Sequence, residues 1–409
     1  MIRRSLAIGI AALCLSNCSP SEPNEIGSEI GSDQRSWDQV LSESGLAAAE
    51  AMLETSDASA ATAFRLGGVR FLRAVEHILQ VRYANYSGAL PLIPGMRNEM
   101  PVNPESRFDP AFLENAVSGA LEHLANAENV LGPAIDGSFE AEVPFDAIWF
   151  DINDNGVREE WESLEALMIS LGTAPDESFG GLIRFDTADA EWLAAYVHVL
   201  SAASELVLSL DPTPAIQRVH EGRSQLAELG APTSVGFLND EFLDIAAATL
   251  LTLRGQPDRT RTRAAHAHFK AMIAHNKAFW TEVNQETDDT LEWIPNPSQT
   301  STFGLIIPVE MAESWQDVLT EIDAILEGEK LVPFFRMGVN QAEDENGQGI
   351  GLNLKKLLQE PGDMDPIMWI QGAAAMPYLE TGTLADAQAW AQFEQLTRGN
   401  GLVFAMLLN

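Results

Sequence analysis

"DPAFLENAVSGALEHLANAENVL", residues 109–131, carries the pattern that decides the architecture. Asp109 stands where an N-cap acceptor belongs, and Pro110 where a helix tolerates a missing N–H. From Phe112 onward apolar residues return every three or four positions, the spacing that lines one helix face. "TPAIQRVHEGRSQLAEL" (213–229) opens in the same way with Thr213 and Pro214. Working outward, the same spacing predicts helices over 37–53, 59–83, 189–208, 240–253, 258–283, 315–326, 366–379 and 384–396. "TFGLIIPVEM" (302–311) is the best strand candidate. The expected fold class is therefore mainly α, a multi-helix array or two helical lobes, with little strand.

Composition sets further bounds. Hydrophobic residues make up 46% of the 409 residues, enough for a full core rather than an acidic disordered tail. A body of this length outgrows a single core, so two lobes are expected, with a break near 230–238. The formal net charge of −36 repels phosphate backbones and excludes nucleic acid as a partner, while attracting cations. "RAVEHIL" (73–79) and "GALEHLA" (119–125) echo each other, but no third copy follows, and stacked repeats need about three. Two long Pro-rich connections, 85–108 and 287–301, are expected to pack over the surface.

The first residues, "MIRRSLAIGIAALCLSNCSP", have a basic pair, Arg3 and Arg4, and an apolar run too short to span a membrane as a helix. That is the anatomy of a secretory signal over 1–17. Leu15-Ser16-Asn17-Cys18 resembles a bacterial lipobox, which implies a lipidated Cys18 and a membrane partner reached through that anchor. Ser19 after the cysteine resembles the pattern of outer-membrane retention, implying a Gram-negative lipoprotein that faces the periplasm or the cell surface. The chain's cysteines are Cys14 and Cys18, so the mature body would contain no disulfide. Residues 18–33 read as a flexible tether, and 34–409 as the helical body.

"FDINDNGVREEWESL" (150–164) holds the most specific chemistry. A calcium loop of the EF-hand kind takes oxygen ligands at positions 1, 3, 5, 7, 9 and 12, with a glycine at position 6. Counted from Asp151, those places hold Asp151, Asn153, Asn155, the Val157 carbonyl, Glu159 and Glu162, with Gly156 at the bend. The stretch resembles an EF-hand, and the resemblance implies Ca²⁺ bound by these six residues between two short helices. Arg158 occupies position 8, where paired loops carry an aliphatic residue, and "EDENGQGIGLN" (343–353) lacks the late glutamate a second loop needs. A lone loop implies a structural ion rather than a sensor.

The other patterns are weaker. On a helix His266 and His268 point apart, while His268 and His275 lie about 10 Å apart along the axis, so solvated or capping histidines are expected. Arg259, Arg263, His266, Lys270 and Lys277 share a face, which is expected to be matched by nearby carboxylates. "GQGIGLNLKK" (347–356) reads as a flexible loop entering a short helix, and "MWIQGAAAMPYL" (368–379) as a buried helix. The chain has no G-x-S-x-G, H-E-x-x-H, C-x-x-C or P-loop pattern. Two function classes follow. The first is a non-catalytic envelope scaffold that binds an unidentified protein or small molecule. The second is a hydrolase with a carboxylate or metal site assembled from distant residues.

Overall fold

The computed structural model describes residues 35–85, 101–170, 181–231, 234–235, 238–302, 305–337 and 347–409. The signal segment, Cys18 and the tether lie outside the described residues. The chain starts with α1 (Trp37–Glu54), α2 (Ala60–Asn85) and α3 (Phe112–Ile135), followed by β1 (Glu140–Pro144), α4 (Leu164–Ser170) and β2 (Leu182–Asp186). Next come α5 (Thr187–Ser209), α6 (Thr213–Glu228), the short strands β3 (Ser234–Val235) and β4 (Leu238–Asn239), and α7 (Asp240–Thr252). Then follow α8 (Arg259–Val283), α9 (Val309–Leu326), β5 (Val332–Pro333), β6 (Gln348–Leu352) and α10 (Leu354–Gln359). The last elements are α11 (Pro366–Gln371), β7 (Leu379–Thr383), α12 (Gln388–Leu396) and α13 (Gly401–Leu408). The fold is mainly α.

Helices α2, α3, α5 and α8 form the packed centre, α2 against α3, α3 against α5 and α5 against α8. The two echoing segments thus lie face to face, with the His77 and His123 rings 6.1 Å apart. Helix α5 is buried on nearly every side, as expected of a helix that is apolar all round. It is also long and apolar enough to cross a membrane, but most of it lies inside the protein, where it acts as the core helix. Its start is set locally, because the Asp186 carboxylate caps the Ala188 N–H and Asp189 bonds back to the Asp186 N–H. Asp258 caps α8 in the same way through the N–H groups of Thr260 and Arg261.

Several elements depart from the pattern read above. The helix quoted first starts at Phe112 rather than Pro110, since Asp109 caps through the Ala111 N–H in a turn just before it. The apolar run at 366–379 is not one buried helix. It is α11, a stop at Gly372 in the left-handed region (φ 105°), a 3₁₀ turn and then β7, and Ile367, Ile370 and Met376 are exposed. The glycine-rich 347–356 stretch contributes β6, the central strand of an antiparallel β5-β6-β7 sheet. In the strand candidate at 302–311, residues 305–308 are irregular and α9 begins at Val309. The 287–301 connection drives Trp293 and Ile294 into the core instead of lying over the surface. Asn296 ties it to the Val283 carbonyl, and Arg184 ties it to the Thr290 carbonyl.

Candidate functional site

The 151–162 loop begins from an extended segment. A 3₁₀ turn (Phe145–Ala147) follows β1, and Trp149 bridges antiparallel to Ser163 on the far side of the loop. The Phe150 N–H donates to the Glu162 carbonyl at 2.9 Å, and the Leu164 N–H to the Ile148 carbonyl at 3.1 Å. The entering helix implied by the EF-hand resemblance is therefore replaced by backbone pairing. After β1 pairs with β2, the remaining residues 145–150 form a 3₁₀ turn and then pair with 162–164, so their N–H groups are not free for an α-helix. On the exit side a 3₁₀ turn (Glu160–Glu162) leads into α4.

Inside the loop, side-chain oxygens turn onto backbone N–H groups. The Asp151 carboxylate accepts from Asn155 and Gly156 at 2.9 Å each. Asn153 Oδ1 accepts from the Asn155 N–H, and Asn155 Oδ1 from the Val157 N–H. Gly156 sits at φ 70°, a left-handed bend that glycine adopts without strain. Glu162 is wholly buried, and its carboxylate accepts from Ile152, Asn153 and Glu159 at 2.8, 3.3 and 3.2 Å. Burial pushes its carboxyl above the usual glutamate value against the pull of those three donors. Glu159 is held by the Asn153 side-chain amide at 2.8 Å, while the Val157 side chain is exposed. Asp151, Asn153, Asn155, Glu159 and Glu162, with the Val157 carbonyl, supply oxygens of the kind a hard cation takes, but the three carboxylates are not among the described residues whose ligand atoms lie within 4.8 Å of one another.

Two α2 side chains anchor the loop, a role with no signal in the local sequence. Buried Glu76 accepts the Asp151 N–H at 2.9 Å while paired with Arg73, and Gln80 donates to the Asp151 carbonyl at 2.8 Å. Trp149 donates its indole N–H to the Leu41 carbonyl of α1 at 3.0 Å. Beneath the loop an apolar cavity of about 90 Å³ is walled by Phe64, Phe71, Phe145, Phe150, Phe185 and Trp192, with Arg65 its single charged lining residue. That volume lies well below the roughly 300–1,000 Å³ of sites that enclose a drug-sized ligand.

The basic face of α8 is matched internally. Arg259 reaches Glu360, Lys270 reaches Asp323 and Glu327, and Lys277 reaches Asp323. Arg263 donates to the Gln359 carbonyl. Of the α8 histidines, His266 is buried against the Leu326 carbonyl. His268 and His275 are half-buried, neither fully solvated nor helix caps, because His198 of α5 contacts both. Helical spacing within α8 carries no sign of an imidazole arriving from another helix. A comparison with known protein families found no match, and comparisons with curated proteins and with solved structures likewise found none.

Proposed function

We propose that this protein is an exported, non-catalytic helical scaffold, lipid-anchored through Cys18, whose 151–162 loop binds Ca²⁺ as a structural brace. One observation carries the reading. Glu162 is buried without a cationic side chain among its described partners, at the end of a loop whose Asp151, Asn153 and Asn155 oxygens face the loop's own backbone N–H groups. A hard divalent ion would offset the cost of burying that charge. The brace would tie the loop to α2 through Glu76 and Gln80, and so to the core. Asparagines at positions 3 and 5 lower the site's charge, so its affinity belongs in the extracellular range of roughly 10⁻⁴–10⁻³ M.

Terbium luminescence tests the reading. Trp149 and Trp161 flank the loop, and tryptophan excitation should sensitise a lanthanide held there. Emission should rise on titration, fall as Ca²⁺ competes, and vanish in an Asp151→Ala, Glu162→Ala protein that remains helical by circular dichroism. If that double variant titrates like wild type, the ion sits elsewhere on the acidic surface. The anchor has its own test, because Cys18→Ser should release the protein from outer membranes and abolish palmitate incorporation. Equal retention of the variant would rule out a lipid at Cys18.

A further inference from the structure

We infer that Glu128 of α3, His198 of α5 and His268 of α8 form a binding site for a divalent transition-metal ion of the zinc class, separate from the calcium loop. One donor atom from each of the three lies within 4.8 Å of the others, and among the described residues this is the group of histidines and carboxylates so gathered. Three separate helices supply the ligands, and the packing of α3 on α5 and of α5 on α8 brings them together. Bundle proteins build their metal centres in the same way, from side chains on facing helices.

The distances suit a shared ion, although without one the two imidazoles are within hydrogen-bond reach of each other. His198 Nδ1 lies 2.9 Å from His268 Nδ1 and 4.0 Å from Glu128 Oε2. Two imidazole nitrogens each about 2.05 Å from a common ion stand about 2.9 Å apart at a 90° angle and about 3.3 Å apart in a tetrahedron. The pair therefore needs only a few tenths of an ångström of adjustment. The Glu128 side chain, 44% exposed, is free to swing in and close the third position.

The surroundings suit the same ion. His198 is 5% exposed. It packs between His268 and His275, with ring centroids 5.2 Å from each. His275 stacks on His198 with ring centroids 5.2 Å apart, and its Nδ1 is held by Glu191 Oε2 at 2.5 Å. The stacked His275 ring limits rotation of the His198 ring. Two nitrogens and one carboxylate oxygen select borderline ions such as Zn²⁺, Co²⁺ or Cu²⁺ over Ca²⁺, and they leave a fourth position for water. The strongly acidic surface raises the local concentration of any divalent cation.

Cobalt gives the direct test. Untagged protein in excess Ca²⁺ should take up one Co²⁺ per chain. The ion should show visible ligand-field absorption and shifted imidazole proton resonances, and Zn²⁺ but not Ca²⁺ should displace it. His198→Gln and His268→Gln should each weaken Co²⁺ binding by more than about 100-fold, the upper end of losses seen when only an outer-shell partner is removed. Glu128→Gln, at an exposed position, should weaken it by at least about tenfold. The shifted imidazole resonances read histidine ligation in the wild type, so the result does not depend on a buried variant folding. Cobalt bound without those resonances, or with equal affinity in His268→Gln, overturns the inference.

Discussion

Glu162→Gln isolates the buried end of the loop without changing its volume. In the wild type one carboxylate oxygen takes the N–H groups of Ile152 and Asn153, and the other takes the N–H of Glu159. An amide can preserve one side of this arrangement. Its NH₂ must then meet a backbone N–H donor to donor, and a buried donor left without an acceptor costs about 1–3 kcal/mol. Loss of a buried negative charge returns part of that, so without calcium the variant should be about 1–2 kcal/mol less stable. For a chain this long that is a fall in Tm of a few degrees, at roughly 2 °C per kcal/mol. Calcium enlarges the gap. At 100 times its dissociation constant the ion adds about 2.7 kcal/mol to wild type, and the variant should gain almost none of it. The difference should therefore approach about 4 kcal/mol in saturating Ca²⁺. Differential scanning calorimetry in EDTA and in about 10–100 mM Ca²⁺, roughly 100 times the expected dissociation constant, measures both arms. An unchanged Tm in EDTA would refute the hydrogen-bond argument, and an undiminished calcium shift would refute the ligand assignment.

Three other perturbations test the surrounding framework. Gly45 interrupts α1 at φ 78°, and a Cβ there would meet the Trp149 ring at 3.0 Å, so Gly45→Ala should cost about 2–3 kcal/mol in urea denaturation. A loss below about 0.5 kcal/mol would mean that α1 shifts freely. Arg184 is nearly buried among Asp186, Asp288, Glu292 and Glu140, so Arg184→Ala should cost about 3–5 kcal/mol by leaving those carboxylates unpaired. Stability equal to wild type would show the cluster to be well solvated. Burial pushes Glu286 up to about 7, helped by Asp186, Glu292 and Asp288 and opposed by the Gln299 amide. The folded state therefore holds a proton that the unfolded chain releases near its ordinary value. The stability this contributes is fully present below the unfolded pKa and is lost as pH rises through 7. Glu286→Gln should flatten the fall in Tm between pH 6 and 8, and an unaltered slope in the variant would remove Glu286 as its source.

Local chemistry made much of the helical framework legible. Asp258 before α8 and Thr213-Pro214 at α6 are chain punctuation that acts over three or four residues, and the structure places those ends within a residue or two. The turn within 151–162 was legible, because its side chains bond to backbone only a few positions away, but the entering helix implied there was not, since residues 148–150 pair with 162–164. Where the deciding partner lay far along the chain, the reading failed. Gly349 and Gly351 carry no strand preference, and β6 exists because Val332 and Thr381 flank it from two distant segments. The apolar run at 366–379 satisfied a helical pattern, yet Gly372 and the pairing of β7 divided it. Glu76 and Gln80 reach Asp151 across more than 70 residues, and His198 meets His268 from 70 residues away. Caps and turns close short loops, so their cost and gain are written in adjacent residues. Contacts between distant helices are set by which apolar faces bury each other, and only the folded packing of α2, α3, α5 and α8 decides which polar side chains those faces carry together.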